Sequence, residues 1–259
     1  VDPKVLESML PFFKERYGNP SSMHSFGGLV GREVEKARMQ VARLVGAEHD
    51  YEIVFTGSGT ESDNMAVMGV LGYYRDRKHV ITSRVEHPAI LSLCKKLERD
   101  GYRITYIPVD RDGNLDVEML KSSVDDDTAI VSIMYANNET GVVFPVEEIG
   151  AFLKQKGVPF HVDAVQAAGK IPIDVNKINC DLLSISGHKF HAPKGIGALY
   201  VRRGTRMRPI LYGGHQERGR RPGTENVPGI VGMGAAAELA LEHLPEYDTR
   251  VRKLRDRLE

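Results

Sequence analysis

Short apolar, β-branched runs alternate with helical runs along most of this chain, and that alternation restricts the fold more than any other feature. Residues 51–56 read as a strand, followed by a helix over 66–74. The pair recurs at 79–83 and 88–99, at 103–108 and 117–122, and at 129–135 and 146–156. Further strands are expected at 160–163, 181–185 and 196–201. Strands that alternate with helices pair in parallel and are covered on both faces. The expected fold is therefore α/β, a three-layer sandwich around a mostly parallel central sheet. Residues 129–134 and 181–185 are apolar almost throughout, as strands buried on both faces are. Near the start, 3–13 reads as a short helix. Val30, Val34, Ala37, Val41 and Leu44 recur at helical spacing, so 28–45 reads as an amphipathic helix closed by Gly46. Residues 213–228, rich in Gly, Arg and Pro, form the longest irregular stretch, and loops of that length are often functional. Residues 246–259 read as a helix again.

Composition removes several classes of function. The 259 residues hold 35 Lys plus Arg against 35 Asp plus Glu, so no basic surplus points to nucleic acid or an acidic membrane surface. No apolar run approaches the roughly 20 residues of a membrane helix. Two cysteines, Cys94 and Cys180, are too few for a disulfide framework and fit a reducing compartment. Both sit in apolar surroundings and are expected to be buried packing residues. Val1 in place of a Met, and a final helix with no cap, read as a piece of a longer protein.

In an open α/β sheet, ligands gather beyond the carboxyl ends of the strands. The first strand is followed by Gly57-Ser58-Gly59-Thr60, a turn whose glycines and following helix N-terminus suit a phosphate. The second is followed by Glu86-His87-Pro88, with Pro88 suited to the first helical position and His87 at the helix entrance. The stretch at 129–135 leads to Asn137-Asn138-Glu139-Thr140-Gly141. Next, His161-Val162-Asp163 ends on a carboxylate, with Gln166 three residues on. Finally, 181–185 runs into Ser186-Gly187-His188-Lys189. A lysine held at the end of a buried strand, among hydroxyl and imidazole groups, is placed to form a Schiff base. Each of these also has an ordinary reading, as a turn, a helix cap or a surface residue. Together they compose a site for pyridoxal phosphate. No metal site is expected.

The motifs resemble the class V aminotransferase group of fold-type I pyridoxal phosphate enzymes, and within it the cysteine desulfurases of the NifS and IscS kind. They are N-P-S-S-x-H at 19–24, F-T-G-S-G-T-E-S-D-N at 55–64, E-H-P-A at 86–89 and N-N-E-T-G at 137–141. H-V-D-A-V-Q at 161–166, S-G-H-K at 186–189, P-K-G-I-G at 193–197 and G-G-H-Q-E-R-G-R-R-P-G-T-E-N at 213–226 complete the set.

The resemblance implies that Lys189 carries the cofactor as a Schiff base and that Asp163 pairs with its pyridinium nitrogen. It implies that His87 stacks on the ring and relays protons, and that Asn138 and Gln166 bond the ring oxygen. Gly59, Thr60, Ser186 and His188 would hold the phosphate, and Thr224 would reach the phosphate of a second subunit, making a homodimer. The implied reaction takes L-cysteine to L-alanine and passes sulfur, as an enzyme persulfide, to an iron–sulfur scaffold or to tRNA thiolation. The implied location is the cytoplasm, with the mitochondrion as the alternative. The implied domains are 1–13 from a smaller domain, 14–245 as the cofactor-binding large domain, and 246–259 as the start of a linker helix. The persulfide-forming cysteine and the arginine for the substrate carboxylate are expected beyond residue 259. A class V transaminase, a selenocysteine lyase and an inactive truncated scaffold remain alternatives.

Overall fold

The computed structural model describes residues 1–258. Glu259, the last residue of the expected C-terminal helix, lies outside them. Seven strands form one sheet: β1 (Ile53–Thr56), β2 (His79–Ser83), β3 (Arg103–Ile107), β4 (Thr128–Met134), β5 (Phe160–Asp163), β6 (Leu182–Ser186) and β7 (Gly197–Val201). Their order is β1-β7-β6-β5-β4-β2-β3. All pairs are parallel except the two that β7 makes, with β6 and with β1. The expected mostly parallel sheet is therefore what forms. The antiparallel strand arises because the connection from β6 to β7 is too short for a crossover helix.

Helices cover both faces. On one lie α4 (Gly59–Tyr73) and α5 (Pro88–Arg99), packed on Val54, Val80, Leu182, Leu199 and Val201. On the other lie α1 (Pro3–Met9), α2 (Pro11–Lys14), α3 (Ser25–Val45), α6 (Val117–Ser123), α7 (Val146–Lys156), α8 (Val175–Ile178) and α9 (Val227–Glu246), over Ile53, Ile81, Val131, Ile133, Leu183 and Ile185. Alternate residues of one strand thus enter opposite cores, as a two-fold side-chain period requires. Gly150 shows how tightly the layers close. A Cβ there would stand 1.8 Å from the carbonyl oxygen of Ile178, so α7 meets α8 where only hydrogen fits.

Several expected boundaries shift. The first helix breaks in two at Leu10, because Pro11 opens a new first turn. α4 starts at Gly59 rather than at 66, because Ser58 caps it by accepting the Glu61 N–H at 3.1 Å. The largest difference is α9, which sequence analysis does not foresee. Pro228 closes the stretch read as irregular, and no element is expected between it and residue 246. Pro228 instead sits in the first turn behind the Asn226 cap, and the glycines are packing contacts. A Cβ on Gly234 would lie 2.4 Å from Gln40 Oε1 and 2.7 Å from Ala37, so Gly234 lets α9 settle onto α3. The expected helix over 246–259 is instead the end of α9, one wider turn at Tyr247–Val251, and α10 (Arg252–Leu258).

Candidate active site

The carboxyl ends of the parallel strands open into a small cleft of about 130 Å³. Its walls come from every strand end singled out above. Ser58, Gly59 and Thr60 enter from the β1–α4 turn, His87 from the start of α5, and Met134, Ala136 and Asn138 from beyond β4. Asp163 and Gln166 enter from beyond β5, and Ser186, His188 and Lys189 from beyond β6. Larger clefts lie beside Arg38 and Glu217 and beside Lys170 and Leu244, but neither gathers this set. Nine of the ten expected cofactor residues therefore share one cavity. The tenth, Thr224, lines a neighbouring cleft with Gly57, Arg221 and Gly223.

Local sequence explains each placement. Gly59 has no room for a side chain: a Cβ would stand 2.8 Å from Val165 Cγ2 and 3.1 Å from Ser186 Cβ. The first turn of α4 is thereby drawn against the cavity, with backbone N–H groups free at a helix N-terminus. Glu61 steadies the turn by accepting the Gly57 N–H at 2.7 Å, and Arg221 donates to the same carboxylate at 2.7 Å. Lys189 sits on a single 3-10 turn, Gly187–Phe190, directly after β6. Ser186 Oγ and His188 Nδ1 are 3.0 Å apart beside it. His87 caps α5, its Nδ1 accepting the Ala89 N–H at 3.1 Å, so the ring's proton is on Nε2. The capping reading and the cavity-lining position hold together. Asn137, neighbour of Asn138, is buried and ties its turn: Oδ1 accepts from Glu139 and Thr140 N–H, and Nδ2 donates to Val85 O.

Asp163 is buried and accepts the Val165 N–H at 2.9 Å. Burial pushes its carboxyl up, while that hydrogen bond and the nearby His87 and Lys189 draw it down. Behind it lies a polar seam absent from the sequence reading. His161 bridges Ser132 Oγ at 2.8 Å and Ser184 Oγ at 2.9 Å. Burial pushes its imidazole down to about 3, so it is neutral. Asp63, on α4, is fully buried, with Oδ1 3.6 Å from His161 Nε2 and no hydrogen-bond partner for that oxygen. Burial and then Asp163 raise its carboxyl well above the usual range. Glu86 ties two strand ends together: its Oε1 accepts from Ser83 Oγ at 2.7 Å and from Met134 N at 3.0 Å. Its Oε2 has no partner, and burial pushes the group up to about 8. Asp63, Glu86 and His161 fall inside the motifs at 55–64, 86–89 and 161–166, but no role is expected for them there.

The shifts fix the pH dependence of stability. His161 is lowered from 6.5 to about 3, so its contribution is lost as pH falls below 6.5. Glu86 is raised from 4.5 to about 8, so its contribution is complete below 4.5 and lost as pH rises toward 8. Between 4.5 and 6.5 the two slopes oppose each other; above 6.5 His161 no longer contributes, and Glu86 and the raised Asp63 act in the same direction. With no cofactor added, Glu86 alone should lower stability by about 1.4 kcal/mol per pH unit from pH 6.5 to 8. Glu86→Gln, which imitates the protonated acid, should flatten that limb in urea titrations. Parallel curves for the two proteins would reject the assignment.

A strand-end lysine, a buried carboxylate and a helix N-terminus thus meet around one cleft of an α/β sheet. The chain belongs to the class-V aminotransferase family, whose description matches residues 1–258. It is 59% identical over 259 residues to the cysteine desulfurase of Trichormus azollae, covering all of this chain and 64% of that protein. It is 55% identical to the cysteine desulfurase NifS of Azotobacter vinelandii over 259 residues, again 64% of its length. Among solved structures, a NifS-like protein superposes with a TM-score of 0.96 at 45% identity, covering all of this chain and 71% of its own. DndA from Streptomyces lividans gives 0.91 at 38%, covering 100% of this chain and 74% of its own. The chain thus spans about two thirds of the length of the relatives it resembles.

Proposed function

We propose that this chain is the cofactor-binding part of a pyridoxal phosphate-dependent cysteine desulfurase. The observation that carries the reading is Lys189 sharing one cleft with the buried Asp163 and the Gly59–Thr60 helix entrance. Support also comes from the names of its relatives, cysteine desulfurases at 55–59% identity. The residues present fit the group: the cradle at Gly59 excludes any side chain, and Asp163 is a buried carboxylate without a cationic hydrogen-bond partner among the described residues. When bound, pyridoxal phosphate supplies an electron sink for the carbanion left at the substrate α-carbon.

In this reading Lys189 would hold the cofactor through its amine and would take the substrate α-proton on Nζ. Asp163 holds the pyridine nitrogen protonated. His87 covers the ring and relays a proton through Nε2. Asn138 and Gln166 bond the ring oxygen. Gly59, Thr60, Ser186 and His188 hold the phosphate, and Thr224 serves the phosphate of a second subunit in a homodimer. The overall reaction converts L-cysteine and an enzyme thiol to L-alanine and an enzyme persulfide, which feeds iron–sulfur cluster assembly or tRNA thiolation. Cys94 and Cys180 are not that thiol. Both are buried, and burial pushes Cys94 up to about 12 and Cys180 higher still, which suppresses the thiolate. The persulfide-forming cysteine is assigned to the third of the relatives' length that this chain does not match. Residues 14–245 are assigned to the large domain, 1–13 to the smaller one, and 246–259 to the linker helix. No helix among the described residues is long and apolar enough to cross a membrane, and the proposed location is the cytoplasm.

The test is direct. Pyridoxal phosphate is added, the protein is reduced with borohydride and the peptides are weighed. A pyridoxyl mass on Lys189 is expected; a label on another lysine, or none, would reject the reading.

A further inference from the structure

Gln166 lies on the turn after β5 with its side chain on the cleft. Four residues on, Lys170 Nζ donates to Gln166 Oε1 at 3.0 Å and to the Gln166 backbone oxygen at 3.1 Å. An ammonium only donates, so the atom it holds must be the amide oxygen. The amide nitrogen and its two hydrogens are then turned away from Lys170. A terminal amide left to itself has two nearly equivalent orientations, one offering a donor and one an acceptor.

We propose that Lys170 is a positioning residue, which locks the Gln166 amide so that its NH₂ group is the face offered to the cofactor's ring oxygen. The inference rests on the pyridoxal phosphate reading above. An oxygen lined up against an anionic ring oxygen would repel it, so the choice of amide face decides whether Gln166 helps or hinders.

The turn is built to hold this geometry. Ala168 N–H bonds Ala164 O at 2.9 Å, and Lys170 N–H bonds Ala167 O at 3.0 Å. Gly169 between them has φ +73°, and a Cβ there would stand 2.9 Å from Phe190 Cβ and 3.0 Å from Ala240 Cβ. The turn is thus clamped between the Lys189 segment and α9. Lys170 is half-buried, and burial followed by the charge of Lys189 lowers its pKa. A cation kept in such a place needs acceptors, and both oxygens of Gln166 provide them.

The test uses the full chain loaded with pyridoxal phosphate. The pH midpoint of the cofactor's visible absorption band is read in the parent protein, Lys170→Met, Gln166→Leu and the double variant. A donor on the ring oxygen weakens that oxygen's hold on the neighbouring imine proton. Its loss should raise the midpoint by about one pH unit in either single variant. If Lys170 acts through Gln166, the double variant shifts no further than Gln166→Leu, within a few tenths of a unit. Lys170→Arg, which keeps donors at this place, should hold the midpoint near that of the parent. Melting curves separate a folding defect from a local one, and if Lys170→Met does not fold, Lys170→Gln takes its place in the cycle. Additive shifts would make Lys170 an independent charge and overturn the inference, as would an unmoved midpoint in Lys170→Met. A parent protein that stays colourless with pyridoxal phosphate overturns the cofactor reading itself. Colour with additive shifts overturns only the role of Lys170.

Discussion

On the proposed reading, Lys189→Ala in the full-length protein should lose at least about 10³-fold of L-cysteine turnover, the scale expected when a group that is both covalent anchor and base is removed. The fold should survive. Lys189 lies on a 3-10 turn at the cleft, and no side-chain hydrogen bond or ion pair is recorded for its amine among the described residues. The variant should still bind pyridoxal phosphate without a covalent bond, through the α4 entrance and Asp163. The measurement is turnover to alanine together with the melting temperature. Near-parent turnover would remove Lys189 from the chemistry; a collapsed melting temperature would make it a structural residue.

Glu217→Gln should cost about 3 kcal/mol of stability, because it removes the buried charge facing Arg38 and leaves that guanidinium only the half-exposed Glu35 at 3.3 Å as a carboxylate partner. Arg38 Nη1 and Nη2 reach Glu217 Oε2 and Oε1 at 2.7 and 2.8 Å, with both side chains almost fully buried. Oε2 also accepts the Phe55 N–H at 2.9 Å, and Arg38 lies over the Phe55 ring. At this chain length the loss corresponds to roughly 10 °C in melting temperature. Glu217 and Arg218 both have positive φ, 47° and 58°, a conformation non-glycine residues adopt at a cost. The ion pair holds that strained turn down on β1. Arg38→Met added to Glu217→Gln should return part of the loss, since no unpaired charge then remains. A single variant within 1 kcal/mol of the parent in urea unfolding would reject this role.

The sheet was legible because its strands are continuous apolar runs bounded by polar turns. β2, α5, α7 and β5 form with the limits expected from their residues. The cleft residues were legible because an α/β sheet collects its strand ends in one place, so reading beyond each apolar run finds His87, Asp163 and Lys189. What stayed hidden depends on contacts distant in sequence. Ala235–Glu242 are strong helix formers, but Gly232 and Gly234 ahead of them are tolerated in α9 only because Met9, Ala37 and Gln40 pack on them, and those contacts are distant in sequence. The His161 seam was hidden for the same reason. Ser132, Ser184 and Asp63 come from three elements and become partners only once α4 covers the sheet. Glu217 looked like one polar residue in a long loop, and its partner lies 179 positions away.

The carboxylate of Glu61 serves two masters: one oxygen takes the Gly57 N–H, and Arg221, 160 residues later, takes the other. The order in which the chain is synthesised therefore matters. A nascent chain that has passed α4 already owns the phosphate-cup turn but not its clamp, which arrives after nearly all of the sheet has been made. Closing so long a loop is entropically costly and follows local structure. The cup should be the last part of the cleft to reach its final order during folding. On the proposed reading, a cofactor supplied early would meet Lys189 before the turn proposed to hold its phosphate has set.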